Sequence, residues 1–173
     1  NMKVLFLDID GVLNSDAWYH FSRTACRNYQ RHKVYIGDPT DSHIKYMHGN
    51  IDDRACLNLF DILKETECQV VLSSSWKSSQ PFENQQLADV ITIKGCPIKF
   101  LDITPITLHR HRGLEIASWL KENQDKYDIE SFCILDDDGF DIHEELRPNF
   151  VRVDRKFGLT YIDAAAAIDI LNK

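Results

Sequence analysis

The chain has few of the residues that mark disulfide-stapled, fibrous or membrane proteins. Its five cysteines, Cys26, Cys56, Cys68, Cys96 and Cys133, are an odd, scattered set with no C-x-x-C pair. This argues against a disulfide framework or a cysteine zinc site, and predicts a reducing, cytoplasmic setting. A protein secreted by one cell into the cytosol of another would meet the same setting. Seven glycines and five prolines leave no low-complexity linker, and there is no internal repeat. No apolar run approaches the roughly 20 residues that span a bilayer. The first such run is broken by Asp8 and Asp10 and does not read as a secretion signal. Positive charge is in deficit, with 20 Lys and Arg against 27 Asp and Glu, a net −7. That balance argues against non-specific nucleic-acid binding. These limits leave one monomeric globular domain over 1–173, long enough to bury a core.

The most informative stretch is Val4-Leu5-Phe6-Leu7-Asp8-Ile9-Asp10-Gly11. Its continuous apolar part reads as a buried strand. Two carboxylates at a strand end repel each other and lose hydration, so a cation or a chemical task usually accompanies them. Gly11 permits the bend that lets both converge on one site. The plain alternative is a solvated Asp-Gly turn.

Further strands are predicted at 69–72, ending in Ser73-Ser74-Ser75-Trp76-Lys77, and at 131–135, ending in Asp136-Asp137-Asp138-Gly139. Residues 150–153 form a last strand, and 88–93 a short β segment. Helices are predicted over 51–63 with Asn50 as N-cap, from Gly113 onward, and from a Thr160/Asp163 capping box to Leu171. Alternation of the two element types predicts a three-layer, Rossmann-like parallel sheet with helices on both faces. The aromatic segment 14–50 reads as an insertion, helical around 16–32. Residues 11–50 hold five Lys/Arg against three Asp, a net +2, which leaves −9 for the remainder. On such a helix Arg23, Arg27 and Arg31 would form one stripe, either an ordinary solvated face or a docking edge.

In a parallel sheet the C-terminal strand ends share one edge, so Asp8/Asp10, Ser73/Ser74 and Asp136/Asp137 can build one site. Four carboxylates there call for a hard cation, and oxygen-only ligands favour Mg²⁺. His109/His111 and His43/His48 lack further ligands at zinc spacing and read as surface residues.

These motifs resemble the haloacid dehalogenase (HAD) superfamily of phosphohydrolases over nearly the whole chain. Asp8-Ile9-Asp10-Gly11 matches its first motif and Val70-Val71-Leu72-Ser73 its second. Arg112 matches the third, with Lys77 or Arg110 as substitutes, and Asp136-Asp137 the fourth. The resemblance implies that Asp8 attacks phosphorus to form an aspartyl-phosphate and that Asp10 is the general acid and base. It implies that Ser73, Ser74 and Arg112 hold phosphate. Asp8, Asp10 (through its backbone carbonyl), Asp136 and Asp137 would hold Mg²⁺. Asp141 would orient neighbours or cap a helix.

An insertion of this length is a flap or minimal cap, which leaves the site open to a phosphate displayed on a macromolecule. The Leu-Asp-Ile-Asp-Gly-Val-Leu-Asn opening and Ser-Ser-Ser-Trp-Lys resemble two compact branches of the superfamily. One comprises bacterial effector phosphatases acting on phosphotyrosine; the other comprises nucleic-acid end-repair (3′-phosphate) phosphatase domains. Acidic balance and the aromatic insertion favour the first, with a phosphoprotein as partner. A non-catalytic, receiver-like phospho-binding module is the remaining class.

Overall fold

Six residues, Met2–Leu7, form strand β1, and Val4 through Leu7 have no exposed surface. The computed structural model describes residues 1–21 and 42–173. Within them Gln69–Leu72 (β2), Phe100–Ile103 (β3), Ile129–Asp136 (β4) and Phe150–Arg152 (β5) complete a five-stranded sheet, ordered β3-β2-β1-β4-β5. Every neighbouring pair is parallel. The helices are Ser42–Asn50 (α1), Asp53–Thr66 (α2), Pro81–Ile93 (α3), Arg112–Tyr127 (α4) and Tyr161–Leu171 (α5), with a 3₁₀ turn at Glu144–Asn149. Residues 16–21 are also helical. This is the expected Rossmann-type α/β fold.

Strand alternation divides β1 between two cores. Val4 and Phe6 pack with Val71, Ile116, Trp119 and Ile134 on the α4 face. Leu5 and Leu7 pack with Leu59, Ile62, Leu87 and Ala167 on the face covered by α2, α3 and α5. Trp119 meets Phe6 edge-on, at 5.5 Å between ring centroids, and its Nε1–H donates to Asp102 Oδ2 at 2.7 Å. That bond ties α4 to β3.

Register positions the site. Leu7 pairs with Leu72 on one side and Leu135 on the other. Beyond it the ladder continues, Ser73 N–H donating to Leu7 O and Asp8 N–H to Leu135 O. Asp8, Ser73 and Asp136 therefore leave three adjacent strands at one level. Gly158 and Leu159 underpin the turn after β1, since Leu159 N–H donates to Val12 O.

Three local expectations are corrected. Residues 88–93 are not β but the end of α3: Pro81 opens this helix, and Leu87, Ala88, Val90 and Ile91 are buried on it. The β-branched run was misleading because burial overrides propensity. Strand β3 was not anticipated; it is short and carries an exposed Asp102. Asn50 ends α1 instead of capping α2, and the cap is Asp52, which accepts from Arg54 N–H. The Thr160/Asp163 capping box forms as expected. The Arg23, Arg27 and Arg31 stripe, and most of the 16–32 helix, lie outside the described residues.

Candidate active site

Asp8 stands at the end of β1, only 4% exposed, with Oδ1 accepting from Ile9 N–H. The chain then turns, Val12 and Leu13 N–H both donating to Ile9 O. Gly11 takes φ +76°, and a Cβ there would overlap the Asp137 carboxylate. Glycine is thus required twice, for the turn and for the close approach of an acid from β4's end. Asp10 is exposed, and its Oδ1 accepts from Asn14 Nδ2–H at 3.0 Å. Asn14 Oδ1 in turn accepts from Gly11 N–H at 2.8 Å. Asn14, 2% exposed, is a fixed support for Asp10 that spacing alone did not reveal.

On the β2 side, Ser73 is buried, and among the described residues its Oγ is a buried side-chain polar atom with no partner. Such a hydroxyl is costly unless something polar is meant to meet it. Ser74 Oγ accepts from Trp76 N–H, which shapes the turn that follows. Arg112, first residue of α4, points Nη1 at Asp136 Oδ2 (2.7 Å) and Asp8 Oδ1 (3.2 Å), and donates to the Ser73 carbonyl. One guanidinium thus touches the ends of β1, β2 and β4.

Lys77 is drawn elsewhere. Its Nζ donates to Thr104 Oγ1, Pro105 O and Glu115 Oε2, the last at 2.6 Å. Burial lowers the Lys77 pKa more than Glu115 restores it. Burial also acts to raise Glu115, but hydrogen bonds from Lys77 and Thr107 outweigh it and hold this carboxyl below its usual range. Arg110 is exposed and lines an adjoining 140 Å³ cavity with Lys77, Thr107 and Glu115, which shares Ser75 and Arg112 with the cleft at Asp8. Of the three candidate bases, Arg112 is the one in contact with Asp8.

Asp8, Asp136 and Asp137 bring one carboxylate oxygen each within 4.8 Å of one another. The group holds three carboxylates, not four: the Asp10 side chain is turned out to Asn14. Burial pushes Asp8 up to about 6, against the pull of the Arg112 charge. Burial and then the Asp8 charge push Asp136 up to about 8, again opposed by Arg112. One guanidinium does not offset three crowded acids. The all-oxygen donor set fits a hard divalent cation such as Mg²⁺ and not a soft one. Asp141 lies outside this group and faces His111, at 3.7 Å. Among the described residues no histidine joins it.

Asp8, Asp10, Ser75, Asp136 and Asp137 line an open cleft of about 390 Å³. Arg112 closes one side. Two further lining residues, Arg152 and Arg155, carried no signal in the sequence reading.

A parallel sheet with an acid pair after its central strand, a serine after one neighbour and an acid pair after the other defines the HAD-type phosphatase domains. The family match is more specific. The model for the HAD domain in Swiss Army Knife RNA repair proteins matches residues 4–164, and the chain belongs to that family. Comparison with curated proteins and with solved structures gave no match. The family falls on the end-repair branch and gives no support to the effector phosphotyrosine branch. Net charge averages the whole surface, whereas a substrate meets the cleft and its rim, so the −7 balance does not decide between the two branches. Among the described residues no helix is long and apolar enough to cross a membrane.

Proposed function

We propose that this domain removes a terminal phosphate from RNA by Mg²⁺-dependent hydrolysis through an aspartyl-phosphate. The family match over residues 4–164 carries the reading. The unpartnered Ser73 hydroxyl beside the acid group supports a phosphoryl ligand. Asp8 attacks phosphorus while the bond to the ribose oxygen breaks. Asp10, steadied by Asn14, gives that oxygen a proton. Asp10 then takes a proton from the water that cleaves the aspartyl-phosphate and frees inorganic phosphate. Ser73 and the Ser74 amide hold phosphoryl oxygens, and Arg112 balances their charge. Asp8, Asp136, Asp137 and the Asp10 carbonyl would hold Mg²⁺, which supplies charge neutralisation at the phosphoryl group. More than half of the insertion 14–50, expected as a flap, lies outside the described residues.

The test is phosphate release from RNA oligonucleotides phosphorylated at the 3′ or the 5′ end, beside a phosphotyrosyl peptide, with Mg²⁺ and after chelation. Release from one RNA end that exceeds release from the peptide at least tenfold is expected. Preference for the peptide would sink the RNA reading, and full activity after exhaustive chelation would sink the metal site.

A further inference from the structure

The cleft has a second basic side that the chemistry above does not use. Arg152 is the last residue of β5, paired in register with Asp136, and its Nε donates to Asp137 O at 3.4 Å. Arg155 follows in the next turn. Both are exposed and both line the cleft that holds Asp8 and Asp10. Among the described residues neither forms an ion pair, and the Arg155 side chain forms no hydrogen bond. These two stand at a cleft with five aspartates in its lining and neutralise none of them by contact.

The turn that carries Arg155 is itself held in place. Asp154 O accepts from Phe157 and Gly158 N–H, and Asp154 Oδ1 accepts from Lys156 N–H. Gly158, at φ +71°, lies against Val12 O and Asn14 O. The Arg155 and Lys156 carbonyls accept from Asp16 and Ala17 N–H. The turn is therefore tied to the same loop that positions Asp10. Such anchoring has little value for a solvated charge and real value for one that must meet a ligand at a fixed distance from Asp8.

The geometry points to Arg152 and Arg155 as a subsite for the internucleotide phosphate next to the terminal one. This rests on the RNA-end reading. Arg112 and Ser73 already occupy the β2 side, and the Asp8, Asp136 and Asp137 carboxylates occupy the centre. A second phosphate can reach guanidinium donors on the β5 side, and two forked donors match phosphate oxygens well. The consequence is selectivity for a chain end over a mononucleotide with the same terminal phosphate.

The experiment compares the full chain with Arg152→Ala/Arg155→Ala and with Arg155→Ala alone. Removing Arg155 breaks no side-chain bond, so that variant keeps the test valid if the double variant misfolds. Substrates are an end-phosphorylated oligoribonucleotide and the nucleoside monophosphate carrying the same terminal phosphate. The expected result is a KM for the oligonucleotide raised about tenfold in the double variant and about threefold in the single, with kcat little moved. KM for the mononucleotide should move less than about twofold. The dependence of log KM on log salt for the oligonucleotide should become shallower by about 1. Equal loss on both substrates, or none on an oligonucleotide that the wild type hydrolyses, overturns the subsite alone. Failure of the wild type to hydrolyse any RNA end overturns the functional reading and the subsite with it.

Discussion

Two basic sides flank Asp8, and they hold their charge differently. On the β2 side, Arg112 and Lys77 are withdrawn from solvent and each is committed to carboxylates: Arg112 to Asp8 and Asp136, Lys77 to Glu115. On the β5 side, Arg152 and Arg155 stand in the open and, among the described residues, pair with no carboxylate. A buried, paired charge costs several kcal/mol to orphan, so it fixes geometry. An exposed one is worth little to the fold and is free to select what binds. The same residue type thus serves precision on one side and choice on the other.

The largest effect should come at the point both sides serve. Asp8→Asn should lower kcat by a factor on the order of 10⁴ or more. It should also abolish acid-quenched labelling of the protein by a phosphate-labelled substrate. A labelled Asp8→Asn protein would move the nucleophile elsewhere. Next comes Arg112→Ala, with a loss of about 10²–10³ in kcat. Arg112→Lys should recover only part, because a point charge cannot reach Asp8, Asp136 and the Ser73 carbonyl together.

Lys77 sharpens the contrast. Lys77→Ala leaves Glu115 buried and unpaired, and should cost about 3–5 kcal/mol in a urea titration. Lys77→Met/Glu115→Leu should regain most of it. If Lys77→Ala instead melts normally but loses turnover as Arg112→Ala does, the two bases have been assigned the wrong way round.

The acid group predicts a pH trend for the metal-free protein. Asp8 and Asp136 are raised in the folded state, to about 6 and about 8, mainly by burial. The folded state therefore keeps protons that the unfolded chain gives up near the ordinary carboxylate pKa of about 4. Stability is fullest below that value and is lost as pH rises through 4 to 8. Mg²⁺ should raise Tm by several degrees at pH 8 and by less at pH 5, and chelator should reverse it. An equal shift at both values would place the ion away from these acids.

The smallest expected effect is at Asn14. Asn14→Ala removes one tether from Asp10 and should lower turnover severalfold, about 1 kcal/mol. The loss should be greater for a poor leaving group than for an activated aryl phosphate. An equal loss on both would mean that Asn14 supports the turn at Gly11 and not the acid.

What the sequence disclosed follows from distance along the chain. Asp8, Asp10, Ser73, Asp136 and Asp137 each sit one to three residues past an apolar run, so strand and site were visible in one short window. The Thr160/Asp163 box was legible for the same reason. Arg112 was favoured over Lys77, but the contact that draws Lys77 away is with Glu115, 38 residues from it, and could not be read locally. Arg152 and Arg155 were missed because an arginine near a three-residue edge strand looks like ordinary surface until the sheet is assembled. Asn14 is local, yet its tie to Asp10 depends on how the Gly11 turn closes.

The sheet order has a consequence for how the protein comes into being. β1 lies between β2 and β4, and its partner β4 is more than 120 residues away in the chain. On a growing chain Asp8 emerges well before Asp136 and Asp137 and cannot be crowded by them until they follow. The repulsion among these acids is thus deferred to a late stage of assembly, when most of the apolar surface is already able to collapse. An ion can then act as a final clasp on strand ends that meet only when the sheet is assembled.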